Sequence, residues 1–339
     1  MSLPSLKAHI ALVSESIIRG KVVPFLGAGV NLHDREPNQR WEDHSEVLLP
    51  SAAELAQDLA REFHYPNNQS CSVVECPKPD VQLDLARVAQ HSVTMLDEGP
   101  LYAKLHSIFA NRSIPTRVHT FLASLDPLLA NKNRASEDNH LLIVTTNYDD
   151  LTEQSFNELG LRCDVVFYGS GIDRGETERR LGRFWHKSVE QLVRPIMSAN
   201  DDAYPFCEHF PVILKVHGTV DRQNRDQEAF LITEDQYIEF LAEEPLERLL
   251  PSTLLAKLSD HHFLFLGYSL RDWNFRVFLR RLRRKCLHRY RAWAIVRAAD
   301  ETERQFWLKN GVEIIPIDLA EYISELSHRL GIPQRTRGA

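Results

Sequence analysis

The chain has 339 residues, 43% of them hydrophobic and 26% charged, a composition that can bury a sizeable core and argues against disorder. Its net charge of -7 argues against a protein whose main task is to neutralise phosphates along nucleic acid. Five scattered cysteines suit reduced thiols in a cytoplasm better than a secreted disulfide framework, and no apolar run approaches the roughly 18 residues of a membrane span.

The first 20 residues mix polar and charged groups with Ile10, Leu12, Val13, Ile17 and Ile18, which predicts an amphipathic helix burying those five. A short strand follows in "KVVPFLGAG" (21–29), ending in a glycine turn. About 110 residues then read as helices and loops, with helices expected over 51–63, 80–92, 98–110 and 117–130. The first of these opens with a capping box, Ser51 with Glu54. That span is too long for a plain crossover, so 46–134 is expected to be a helical insertion. Within it Cys71 and Cys76 form the only close cysteine pair, and with no second pair and no His at ligand spacing no metal is expected.

Further strands are expected in "HLLIVTTNYD" (140–149), "PVILKVHG" (211–218), "HHFLFLGYS" (261–269), "RAWAIV" (291–296) and "VEIIPID" (312–318). Between them, 170–210 is rich in Arg, Gly, Asp and Pro and reads as an irregular stretch and candidate lid. Thr233 and Gln236 form a second capping box, and "SLRDWN" leads into a helix from about Asp272. The basic stretch "RVFLRRLRRKCLHRYR" (276–291) reads as the solvated face of a helix that buries Val277, Phe278, Leu279 and Leu282, with an acidic partner or nucleic acid as the alternative.

Near-continuous apolar strands alternating with helices indicate an α/β fold: a Rossmann-like, doubly wound, mostly parallel sheet with an inserted helical subdomain. We expect a single domain over 1–339, its core formed by about 15–45 and 135–330. Ligands in such folds bind beyond the carboxyl ends of the strands, and four strand ends here carry polar or glycine chemistry. Gly27 and Gly29 allow a tight turn and close approach to a phosphate, or simply a ligand-free turn. His217 in "KVHG" is either a hydrogen-bonded structural residue or a proton acceptor near neutral pH. Gly267 and Ser269 in "FLGYSL" offer close approach and a hydroxyl, or a turn and a helix cap.

Taken in order, "GAG", "TTNYD", "KVHG" and "LGYSL" resemble the sirtuin (silent information regulator) family, whose corresponding elements are GAG, T-Q-N-x-D, H-G and G-T-S. Pro37 and Arg40 in "EPNQR" stand where sirtuins carry a Pro-Asp-Phe-Arg segment. The resemblance implies that Asn147 and Asp149 hold the nicotinamide ribose and its carboxamide, with Thr146 beside them. It also implies that His217 is the general base on a ribose hydroxyl. The turn Gly27-Ala28-Gly29 would receive the pyrophosphate of NAD, and Gly267 and Ser269 would line its far side.

The departures bear on activity. The two CxxC pairs of the deacylating sirtuins' zinc module are missing, "RDWN" occupies the peptide-binding region, and Gln39, Asn31, Asn38 and Thr146 replace a Phe, a Ser, an Asp and a Gln. "TTNYD" and "LGYSLRDWN" resemble more closely the sirtuin-like domains of bacterial antiphage defence systems. That likeness implies a cytoplasmic NAD glycohydrolase releasing nicotinamide and ADP-ribose, acting as a homo-oligomer with a sensor such as a HerA-type ATPase or a short Argonaute. With no room for a sensor domain after residue 330, sensing is expected to come from a partner or from assembly. The alternatives are an NAD-dependent protein deacylase or ADP-ribosyltransferase, and a non-catalytic module that binds NAD or ADP-ribose.

Overall fold

The computed structural model describes residues 6–35, 39–41, 48–66, 83–111, 113–132, 140–169, 183–198, 206, 209–242, 249–268, 279 and 290–333. The expectations for Cys71, Cys76, Pro37, Asn38, Ser269, the helix from Asp272 and nearly all of the basic stretch lie outside the described residues.

In chain order the strands are β1 (Val22–Leu26), β2 (Leu142–Thr145), β3 (Asp164–Gly169), β4 (Arg183–Lys187), β5 (Val193–Pro195) and β6 (Val212–Lys215). There follow β7 (Gly218–Thr219), β8 (Ala229–Phe230), β9 (His262–Leu266), β10 (Ala292–Val296) and β11 (Val312–Pro316). Nine of them make one sheet in the order β11-β10-β9-β1-β2-β6-β3-β4-β5, paired parallel except at β3-β4 and β4-β5, where β4 runs against its neighbours, while β7 and β8 pair separately. All six runs expected as strands are present. Residues 183–187 and 193–195, read from sequence as irregular, instead form the antiparallel edge β4-β5.

The helices are α1 (Leu6–Ile18), α2 (Ala52–Glu62), α3 (Leu85–Leu96), α4 (Glu98–Phe109), α5 (Arg117–Lys132), α6 (Leu151–Glu158) and α7 (Glu234–Ala242). The last three are α8 (Ser252–Ser259), α9 (Glu301–Lys309) and α10 (Leu319–Leu330). Ser51 and Glu54 close the expected capping box on α2, and Thr233 and Gln236 exchange the same two bonds before α7. The helix expected over 80–92 starts at Leu85 because the Asp84 carboxylate accepts the amides of Ala86 and Arg87. In α1, Ile10, Val13 and Ile17 are buried at helical spacing, but Leu12 lies off that stripe and faces solvent.

Alternation along the strands feeds both faces of the sheet. Val23, Phe25, Phe263 and Phe265 enter one core with residues of α7 and α8, whereas Val22, Leu26, Leu264 and Leu266 enter the other with α1, α5 and α10. A third cluster gathers α2, α3 and α4 around Tyr148, Val220, Phe230 and Ile232, just beyond the strand ends. The helical layer over the site is thus α2 to α4, and α5 packs on the sheet against α6, α10 and α1. The chain runs from β1 through β2 to one side and returns as β9 on the other, so the order reverses between β1 and β9. A doubly wound sheet opens a crevice at such a point.

Candidate functional site

The crevice is a cleft of about 750 Å³ along the carboxyl ends of the parallel strands. Gly27, Ala28, Gly29, Thr146, Asn147, Asp149, His217 and Gly267 all line it, so eight residues from four strand ends meet in one cavity. Arg40 does not: it is exposed outside the cleft, whereas Arg35 and Arg297 lie in its wall. Both carboxylate oxygens of Glu54 accept from Arg35 at 2.9 Å, and Glu54 also accepts the amides of Trp41 and Ser51. Burial alone would raise the Glu54 carboxyl, but these donors hold it below its ordinary value, so the wall at the start of α2 is a fixed ion pair.

Two glycine turns meet backbone to backbone. The Gly27 amide donates to Leu266 and the Gly29 amide to Gly267, so a large share of the turn's donor capacity already serves the neighbouring strand. Gly267 has a φ of +71°, and a Cβ there would come within 2.4 Å of the Val30 nitrogen. Opposite Gly29 the room is equally short: an added Cβ would lie 2.7 Å from the Gly267 carbonyl oxygen. Between the turns sits Tyr268, whose hydroxyl is 3.3 Å from that of Thr146. Tyr268 carries no signal of its own in the sequence, although it stands between Gly267 and Ser269.

The "TTNYD" loop is tied down at each residue. Thr145 donates its hydroxyl to the Leu26 carbonyl and receives the Asn147 amide at 3.0 Å. Asn147 reaches Gly27 O through Nδ2 at 3.4 Å. Tyr148 turns the other way, into the helical cluster, where its hydroxyl donates to Leu231 O at 2.7 Å and its ring packs edge-on against Phe109 and Phe230. Asp149 is 4% exposed, and its carboxylate accepts Asn31 Nδ2 at 2.8 Å and the Leu151 amide at 3.2 Å. Its oxygens hold the loop in shape at the cleft wall.

Lys215, wholly buried on β6, supports the loop from beneath by donating to the Asp149 carbonyl and to Glu153 Oε1, the latter at 2.9 Å. His217 follows it, 5% exposed, with its ring edge-on to Tyr237 of α7 at 5.4 Å. Desolvation lowers its pKa to about 4, so the imidazole is neutral at physiological pH and able to accept a proton. The next residue, Gly218, has a φ of +98° and lies so close to Ala229 that only glycine fits, which lets the chain turn immediately after the histidine.

A family model described as SIR2-like domain matches residues 141–315, just over half of the chain. The chain belongs to the SIR2-like family. Comparison with curated proteins gives no match. Membership in the SIR2-like family supports a sirtuin-type, NAD-related function for the chain, and the mostly parallel sheet flanked by helices is a Rossmann-like SIR2 fold. The SIR2-like match spans "TTNYD", "KVHG" and "LGYSL", three of the four blocks that carry the resemblance. No helix among the described residues is long and apolar enough to cross a membrane, and no group of three or more His, Cys, Asp or Glu residues there could hold a metal ion.

Several wall residues were not legible in the sequence. Arg35 and Tyr237 reach the cleft from a turn and a helix start, as do Arg297 and Asp318 from the ends of β10 and β11, while Asn31, marked in the sequence only as a departure from the family pattern, enters from the turn after β1. The only sequence signal for Tyr237 was the capping box that starts its helix.

Proposed function

We propose that the chain is an NAD glycohydrolase, cleaving the bond between nicotinamide and ribose to give nicotinamide and ADP-ribose. The observation that carries this reading is the convergence of Asn147, a neutral His217 and two abutting glycine turns on one cleft of a SIR2-like fold. In the reaction the C1′–N bond breaks, its electron pair leaves with nicotinamide, and water supplies the new C1′–O bond. One proton is released, and His217 accepts it from the ribose hydroxyl or the water. The electron-poor sugar is stabilised by nearby oxygens and oriented dipoles, the part assigned to Asn147 and the loop that Asp149 braces. Gly27, Ala28, Gly29 and Gly267 take the pyrophosphate where side chains would block its approach.

In this reading the activity depletes NAD in phage-infected cells. The chain acts as a homo-oligomer with a sensor such as a HerA-type ATPase or a short Argonaute, a context supported by the likeness of "TTNYD" and "LGYSLRDWN" to defence-system domains. Product analysis with and without an acyl-lysine peptide tests the reaction class. Free ADP-ribose formed at the same rate in both supports hydrolysis. Peptide-dependent NAD consumption with an O-acyl product contradicts it.

A further inference from the structure

Beyond the glycine turns the cleft ends on a charged pair. Arg297 follows β10 and Asp318 follows β11, and both line the wall with Val296 and Leu319. The sheet order supplies a ruler, since neighbouring strands lie about 4.8 Å apart. From β2, which carries Asn147, three steps through β1 and β9 reach β10 at about 14 Å, and a fourth reaches β11. A dinucleotide with its reacting ribose at Asn147 and its pyrophosphate over the β1/β9 switch point therefore extends its second nucleoside towards Arg297 and Asp318.

The pair is rigidly built on the aspartate side. Asp318 caps α10 by accepting the Ala320 amide at 2.8 Å, and its other oxygen accepts Arg297 Nε at 3.0 Å and Nη2 at 2.7 Å. Burial would raise the Asp318 carboxyl, but the Arg297 side chain and the helix amides hold it below its ordinary value, so it is ionised. Arg297 reaches it from outside, 84% exposed against 37% for Asp318.

We propose that Asp318 is a specificity-determining residue that selects NAD over its 2′-phosphorylated form, NADP. Its carboxylate repels a phosphate on the distal ribose and occupies the guanidinium of Arg297 that would otherwise bind one. The inference rests on the reading of the cleft as an NAD site. Binding and turnover of NAD and of NADP are measured for the wild type, for Asp318→Asn and Asp318→Ser, both of which can still cap α10, and for Asp318→Asn combined with Arg297→Leu. The wild type should favour NAD by about ten-fold or more, either Asp318 variant should narrow that ratio about ten-fold, and the added Arg297→Leu should remove the gain in NADP affinity. A wild-type ratio near one, or a ratio that neither Asp318 variant moves while NAD still binds, overturns the inference and leaves the NAD reading intact. Binding of neither dinucleotide to the wild type overturns both.

Discussion

Asn31 donates its side-chain amide to the Asp149 carboxylate at 2.8 Å, a bond that joins the glycine turn after β1 to the loop after β2 across 118 residues of chain. Both residues are buried, and the carboxylate also accepts the Leu151 amide at 3.2 Å. Asn31→Ala should therefore lower stability by about 1–3 kcal/mol, because it leaves a buried charged acceptor underused. Chemical denaturation measures this, and a variant as stable as the wild type would show the bond to be dispensable.

His217→Ala should lower turnover by about 100-fold or more, as loss of a general base does. Because desolvation brings the free-enzyme pKa of this histidine to about 4, protonating it should not depress the rate between pH 8 and pH 5. An acid limb centred near 6.5 that disappears in the Ala variant would mean that His217 is hydrated and less buried in solution.

Gly29→Val should abolish dinucleotide binding. The new Cβ would meet the Gly267 carbonyl oxygen at 2.7 Å and its Cα at 2.9 Å, and this neighbour is backbone that cannot swing aside as a side chain could. Calorimetric titration with NAD reads the effect, and retained affinity would exclude the two turns from the phosphate site.

Lys215→Met removes the cation from a fully buried strand position while leaving Glu153 mostly buried opposite it. We expect a loss of about 3–5 kcal/mol, the range for breaking a buried pair from one side. Lys215→Met combined with Glu153→Leu should recover much of it. Failure of the double variant to improve on the single one would place the effect in the lost bond to the Asp149 carbonyl.

Acid should destabilise the fold in two stages. His9, His119 and His217 each have a pKa near 4 in the folded state because burial disfavours the cation, against an ordinary value of 6.5. Between pH 6.5 and 4 the unfolded chain therefore binds more protons than the folded one, and stability falls as the pH falls, by up to about 1.4 kcal/mol per unit for each group. Below pH 4 the carboxylates held low by their donors, Asp34, Glu54, Asp221 and Asp318, add to the loss as they protonate. Equilibrium unfolding followed from pH 7.5 to 4 checks the first stage, and a flat profile would contradict the burial of these histidines.

How much of this was legible in the sequence follows from what each element buries. Six of the parallel strands, β1, β2, β6, β9, β10 and β11, are apolar on both faces, and such runs stand out. By contrast β3 has only four apolar residues between an acid and a glycine, and β4 and β5, at an antiparallel edge, alternate or stay partly exposed. Strand ends named Asn147, His217 and the glycines correctly as neighbours, because a doubly wound sheet must bring its carboxyl ends together. Arg40 comes from a family segment rather than from a strand end, and it lies outside the cleft that Arg35 lines. Arg297 and Asp318 could not be found in the same way, since their place depends on the strand order and not on a motif.

The central claim is tested most directly by incubating the purified chain with NAD and resolving nicotinamide and ADP-ribose by chromatography, with Asn147→Ala alongside. The expected result is equimolar release of both products by the wild type and loss of release in the variant. Equal release from both proteins, or NAD that binds the wild type and stays intact, would contradict the account.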